Sequence, residues 1–323
     1  MNDLNVSAAP HINSGVSTRN IMLDVIIALI PASIMGIIYF GWKALLIIAS
    51  CVGTAVLAEF LFNLITRRKQ TISDLSAVVT GLILALNLSV NVGLFECIIG
   101  SLFAIIIVKC LFGGIGKNIA NPAIAARVFM LLTFGSVALA PLLANNAITK
   151  GIANALDLEL TAGATPLSFL NNGAGTEGTP SLLTLLVGLH GGTIGETCAI
   201  ALLIGFIYLM VRKVIKWYIP VTFVATVFVL YLLTSKFDAA YALSHVLAGG
   251  LLFGAIFMAT DYVTSPISNL GKVIFGVGCG LITFLIRKYG AFPEGVSISI
   301  LCMNLLVPLI EKITTPKTLG GIR

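Results

Sequence analysis

"HVLAGGLLFGAIFMATDYVTSP", residues 245–266, is a glycine-bearing apolar run that closes on Thr-Asp and then turns through polar residues. Its meaning depends on the solvent around it, and composition supplies that. Of 323 residues, 58% are hydrophobic and only 10% charged, whereas a soluble domain carries about 25% charged residues. Too little polar surface exists to cover a core of this size, so the chain belongs to a bilayer. The fold class is all-α integral membrane.

Working outward from that run, apolar stretches of about 20 residues, enough for a helix to cross hydrocarbon, recur near 21–40, 44–65, 74–91, 92–112 and 119–143. A second set follows near 194–213, 216–235, 242–260, 271–290 and 295–312. About ten transmembrane helices are therefore predicted. "SLLTLLVGLHGG", residues 181–192, is too short to span and reads as a surface helix. Lys and Arg concentrate in the loops on one side, which the positive-inside rule makes cytoplasmic. This places both termini in the cytoplasm and the loop 144–193 outside. The predicted organisation is a tail 1–20, a five-helix set 21–143, the external segment 144–193, a second set 194–312 and a tail 313–323. Residues 1–20 lack the features of a cleaved secretory signal.

The two sets echo each other. "DLSAVVTGLILALNLSV" (74–90) precedes a span that runs into "KCLFGGIGKNIANPAIAARVF" (109–129); the opening run precedes one that runs into "RKYGAFPEGVSISILCMN" (287–304). With an odd number of crossings in each set, the second copy lies upside down relative to the first. Corresponding interrupted segments in two inverted five-helix repeats with broken helices point to a binding site near the bilayer midplane.

Carboxylates inside apolar segments are functional candidates, because each costs at least about 2.5 kcal/mol in hydrocarbon unless it meets protein, water or an ion. Glu96, Glu196 and Asp261 are the candidates for an ion pathway, while Asp24 and Glu59 fit an interfacial position equally well. In "FGGIGKNIANPA" (112–123), Asn118 and Asn121 stand one helical turn apart. Their amides either face a planar heterocycle or cap a helix, with Asn118 at the cap and Pro122 in the first turn. The glycines beside them permit close backbone approach but form no dinucleotide fingerprint or phosphate loop. Six scattered cysteines and three dispersed histidines offer no metal site and no nucleophilic triad. The net charge of +6 sits in short loops where topology explains it, so nucleic acid is not a partner.

"DLSAVVTGLILAL", "FGGIGKNIANPA", "GATPL", "GGTIGE", "GGLLFGAIFMATD", "SNLGK" and "PEGVSISIL" occur in this order from about residue 20 to 312. Together they resemble the RnfD/NqrB family, and chain length resembles its RnfD branch more. The resemblance implies a membrane subunit of an ion-translocating ferredoxin:NAD+ oxidoreductase, an electron-transport translocase that is not catalytic alone. It implies FMN joined through its phosphate to Thr165, the threonine of "GATPL", with Gly163 and Ala164 leaving the hydroxyl open to a modifying enzyme. It further implies a second, non-covalent flavin, riboflavin or FMN, near Asn118 and Asn121, and coupling to Na+ or H+ movement. Implied partners are iron–sulfur, NAD-binding and second covalent-FMN subunits in a bacterial or archaeal plasma membrane, besides lipid. The rival reading is a channel or secondary transporter of a small solute, since inverted repeats with broken helices serve permeation too.

Overall fold

The computed structural model describes residues 17–135, 147–155, 165–171, 181–290 and 295–314. Among these the architecture is helical throughout, without a β-sheet. The predicted Gly163 and Ala164, most of the loop around them and both chain tails lie outside the described residues.

Helix α1 (Thr18–Phe40) starts at Ser17, whose hydroxyl accepts the Asn20 amide at 3.3 Å, and stops at Gly41. α2 (Trp42–Ile65) follows at once. α3 (Ser76–Leu86) and α4 (Leu94–Leu102) are shorter, and α4 runs on as a π-helix over Phe103–Cys110. α5 (Pro122–Thr133) is launched by Asn121, whose side chain accepts the amides of Ala123 and Ile124, with Pro122 at the first helical position where a missing N–H does no harm. The cap is thus Asn121 rather than Asn118.

Three short helices lie between the halves: α6 (Ala147–Ala155), α7 (Pro166–Asn171) and α8 (Leu182–Val187). α9 (Ala199–Val211) and α10 (Tyr218–Thr234) begin the second half. α11 (Ala239–Leu247) and α12 (Leu251–Phe253), which continues as a π-helix over Gly254–Met258, meet at a 65° bend. α13 (Asn269–Tyr289) and α14 (Val296–Thr314) close the fold.

By length and composition α1, α2, α13 and α14 suffice to cross a membrane, and the bent pair α11 and α12 makes a fifth when taken as one span. The predicted stretches 74–91 and 119–143 hold helix over only 76–86 and 122–133 of the described residues. Large apolar side chains such as Leu57, Leu64, Ile207 and Leu309 face outward. An outer surface of this kind suits lipid and not water.

Packing follows one scheme in each half. α2 lies on α3 and α4 as α10 lies on α11 and α13; α4 and its π extension touch α5 as α13 touches α14. The halves meet through α1 against α9 and α5 against α14. The core between them is a continuous cluster that includes Leu29, Leu84, Phe223, Phe253 and Phe275.

Two places break the helical ladder inside this core. At Ala248–Gly250 the chain bends, with Gly249 at φ +72°, a left-handed conformation costly for residues bearing a Cβ. The carbonyls freed there are taken by buried Arg287, which donates from Nη1 to His245 O at 2.6 Å and from Nη2 to Ala248 O at 3.3 Å. At the end of α3 the carbonyls of Leu86 and Leu88 accept the backbone amides of Gly195 (2.8 Å) and Ile194 (3.1 Å). A buried carbonyl without a donor costs about 1–3 kcal/mol, so both breaks are tolerable only with these donors.

Candidate functional site

A cleft opens between the start of α1, the start of α3, the end of α9 and the π-helix after α12, and encloses about 800 Å³ including its mouth. Small-molecule sites are predominantly apolar with a few convergent polar groups. This one has walls of Val79, Ile83, Ile256 and Phe257, and polar groups from Ser76, Thr80, Lys109, Asn118, Thr260 and Asp261. Asn118, Asn121 and Asp261, far apart in the sequence, therefore come together around one space.

Their states differ. Asn121 is engaged on both sides: Oδ1 caps α5, and Nδ2 donates to Met258 O at 3.3 Å, the last residue of the π-helix. With its amide nitrogen toward Thr264 O (3.1 Å), Asn304 of α14 accepts the Asn121 backbone N–H at 3.2 Å. Asn118 Oδ1, by contrast, is buried with no hydrogen-bond partner among the described residues. An acceptor of this kind fits the N–H of a heterocycle, because burial without a partner is otherwise unfavourable. Asp261 accepts from Val263 N at 3.3 Å and Thr264 Oγ1 at 3.1 Å, and burial pushes its carboxyl upward against the pull of those bonds.

Behind the cleft wall lies a buried polar knot that sequence reading did not single out. Arg127 of α5 donates to Asn87 Oδ1, and Asn87 Nδ2 donates to Ile83 O at 2.8 Å and contacts Met258 Sδ at 3.2 Å. Arg127, Asn87 and Asn121 thus all converge on the end of the second half's broken helix. Only the pairing across the core reveals this link between Arg127 and Asn87, since each looks like an isolated polar residue in the sequence.

Thr165 stands immediately before α7 and is half-buried. Leu167 and Leu170 of α7 pack on Ala248 and Tyr241, and the Tyr241 hydroxyl donates to Leu170 O at 3.4 Å. α7 therefore rests on the bend between α11 and α12. Glu196, 4% exposed, lies at the same bend with its carboxylate against Gly192 and Gly250. His245 is fully buried there, its ring stacked on Tyr231 with centroids 3.7 Å apart. The cleft lies toward the other end of the same segment, where Ile256 and Phe257 of the π-helix line it.

The third ion-pathway candidate, Glu96, accepts the Gly93 amide at 3.1 Å in the first turn of α4 and does not reach the cleft. Of the two carboxylates that sequence could not separate, Asp24 is buried but pairs with a surface residue: it accepts from Tyr208 OH at 2.9 Å and from the exposed Arg212 Nε at 3.2 Å. Glu59 is 2% exposed and paired with Lys109, Oε2 to Nζ at 2.8 Å. The five buried cysteines and the exposed Cys302 form no metal cluster with His, Asp or Glu among the described residues.

Broken helices, an outward apolar surface and a cleft lined by amides and a carboxylate define a multi-pass helical membrane protein with a candidate small-molecule site. Residues 5–320 match the model of the NQR2, RnfD, RnfE family, and the chain belongs to that family. It is 43% identical to the D-type subunit of the Na+-translocating ferredoxin:NAD+ oxidoreductase complex of Acetobacterium woodii, over 99% of this chain and 97% of that one. The corresponding D-type component of the proton-translocating ferredoxin:NAD+ oxidoreductase complex of Clostridium ljungdahlii is 37% identical over 100% and 98%. That of the ion-translocating oxidoreductase complex of Stutzerimonas stutzeri is 36% identical over 94% and 92%.

Proposed function

We propose that this chain is the RnfD-type membrane component of a Rnf complex in a bacterial or archaeal plasma membrane, where it relays electrons between flavins while ferredoxin is oxidised, NAD+ is reduced and Na+ or H+ is translocated. The observation that carries the reading is the near-complete match to relatives so named. Iron–sulfur, NAD-binding and second covalent-FMN subunits are its partners in this reading, and the relatives' names as one subunit of a larger complex support the presence of other subunits. Ten crossings in two inverted sets, both termini in the cytoplasm and the 144–193 segment outside, belong to the same reading. The shared packing scheme of the two halves supports it.

Within this reading Thr165 bears FMN as a phosphoester, flanked by Gly163 and Ala164, and a second flavin, riboflavin or FMN, occupies the cleft. Bound flavin supplies one- and two-electron chemistry that no side chain offers. The chain's own residues hold and orient it. Val79, Ile83, Ile256 and Phe257 offer apolar faces to a flat ring, and Asn118 Oδ1 accepts one N–H. Asn121 acts indirectly, holding Met258 and so the wall that carries Ile256 and Phe257. Leu167 and Leu170 moor Thr165 to the bend at one end of this segment, and the cleft lies toward the other. Asp261 faces the cleft, Glu196 the bend and Glu96 the start of α4, so these carboxylates serve three separate stations of an ion pathway.

Denaturing gel electrophoresis of the purified complex tests the covalent arm. A fluorescent band at the mass of this chain and a Thr165 peptide heavier by one esterified FMN are expected, with both lost in Thr165→Ala. A native complex whose Thr165 peptide has its unmodified mass overturns that arm.

A further inference from the structure

Beside the cleft lies a second polar pocket of about 620 Å³, lined by Glu59, Asn63, Arg68, Lys69, Thr71 and Asp74 among others. A continuous set of hydrogen bonds joins the two spaces. Lys109 Nζ, 2% exposed, donates to Glu59 Oε2 at 2.8 Å and to Ser76 Oγ at 2.6 Å. Ser76 Oγ in turn donates to Asp74 Oδ1. On the far side Thr71 Oγ1 donates to Glu59 Oε1, and Asn63 Nδ2 donates to Thr71 Oγ1 at 3.0 Å. Lys109 and Ser76 line the cleft, whereas Asp74 and Glu59 line the second pocket.

A buried ion pair adds little stability over apolar packing of the same shape, so this one needs another reason to exist. Lys109 sits in the π-helix after α4, a rare conformation found mostly where function demands it. Asp74 is half-exposed while Ser76 and Lys109 are buried, so the hydrogen bonds run from an accessible carboxylate to buried groups. Arg68, which donates to Cys110 O at 3.2 Å, and Lys69 add positive charge around the accessible end.

We infer that Asp74, Ser76 and Lys109, with Glu59 as counter-ion, form a proton-transfer relay that delivers protons from the second pocket to the molecule held in the cleft. This rests on the reading above that a redox cofactor occupies the cleft, and the electrons come from its reduction. The Lys109 Nζ–H bond breaks and the proton joins a basic heteroatom of the cleft occupant. The neutral amine then takes the Ser76 hydroxyl proton, while the Asp74 carboxylate takes a proton from water of the second pocket, leaving hydroxide there, and passes it to Ser76. One proton moves from water to the cleft, and every relay group returns to its starting state.

The test uses the full chain in a Thr165→Ala background, so that any flavin present is the non-covalent one. Flavin content is measured first, then proton uptake on photoreduction with a pH-indicator dye. Asp74→Asn should keep the flavin and slow uptake at least tenfold, Asp74→Glu and millimolar azide should restore it, and Ser76→Ala should slow it as well. Uptake at the unsubstituted rate in both Asp74→Asn and Ser76→Ala, with flavin bound, overturns the relay and leaves the cofactor reading intact. Slowing that neither Asp74→Glu nor azide reverses assigns Asp74 a merely structural part and likewise overturns the relay. Absence of any non-covalent flavin overturns the cofactor reading and the relay with it.

Discussion

The two helix breaks pose one problem and answer it differently. Where α3 ends, the backbone answers: the amides of Ile194 and Gly195 take the loose carbonyls of Leu88 and Leu86. At the bend between α11 and α12 a charged side chain answers, as Arg287 reaches over from α13 to His245 O and Ala248 O. Backbone donors come with any sequence that brings two segments close, but they demand close approach. A guanidinium tolerates distance, yet it concentrates the whole solution in one residue. The second half is therefore the more vulnerable to a single substitution.

Replacing that residue should produce the largest effect. Arg287→Met strands two buried carbonyls at about 1–3 kcal/mol each, so a loss of about 2–6 kcal/mol is expected. Thermal unfolding in detergent should show a clear fall in midpoint and little folded protein in membranes; a midpoint near the wild-type value would erase the contrast between the breaks. Gly195→Val comes next, because a Cβ there meets Leu86 Cβ at 2.6 Å and Leu86 O at 3.1 Å. Overpacking of this kind costs about 1–3 kcal/mol, and the same unfolding assay should place it below Arg287→Met. Reversal of that order would make the backbone-paired break the fragile one. The smallest of the three is Gly249→Ala, about 1–2 kcal/mol for a non-glycine residue at positive φ. Because its Cβ would touch Leu167 Cδ2 at 3.2 Å, faster proteolysis of the segment around Thr165 should accompany it; unchanged digestion would separate the bend from α7.

Much of this was legible in the sequence, and for physical reasons. Period and length reveal apolar helices, and the polar turn after Met258 was visible as Thr-Asp followed by YVTSP. Asn118, Asn121 and Asp261 stood out because an amide or carboxylate among apolar residues needs an explanation, and all three line one cleft. The bend at Ala248–Gly250 was hidden inside an unbroken apolar run, since nothing local marks a glycine pair as bent. Glu59 and Lys109 are 50 positions apart, and their pairing exists only in three dimensions. For the same reason Asp24 and Glu59 looked alike in sequence, although one ends beside an exposed arginine and the other against a buried lysine.

Asn121 carries a consequence for biogenesis. Its side-chain amide finds the Met258 carbonyl 137 positions later in the chain. When α5 leaves the ribosome that partner has not yet been synthesised, so the amino-terminal half is made with this donor open. The amino-terminal half is completed at this point only when the carboxy-terminal half brings its irregular segment past it, and Asn304 of α14, made later still, then takes the backbone N–H of the same residue.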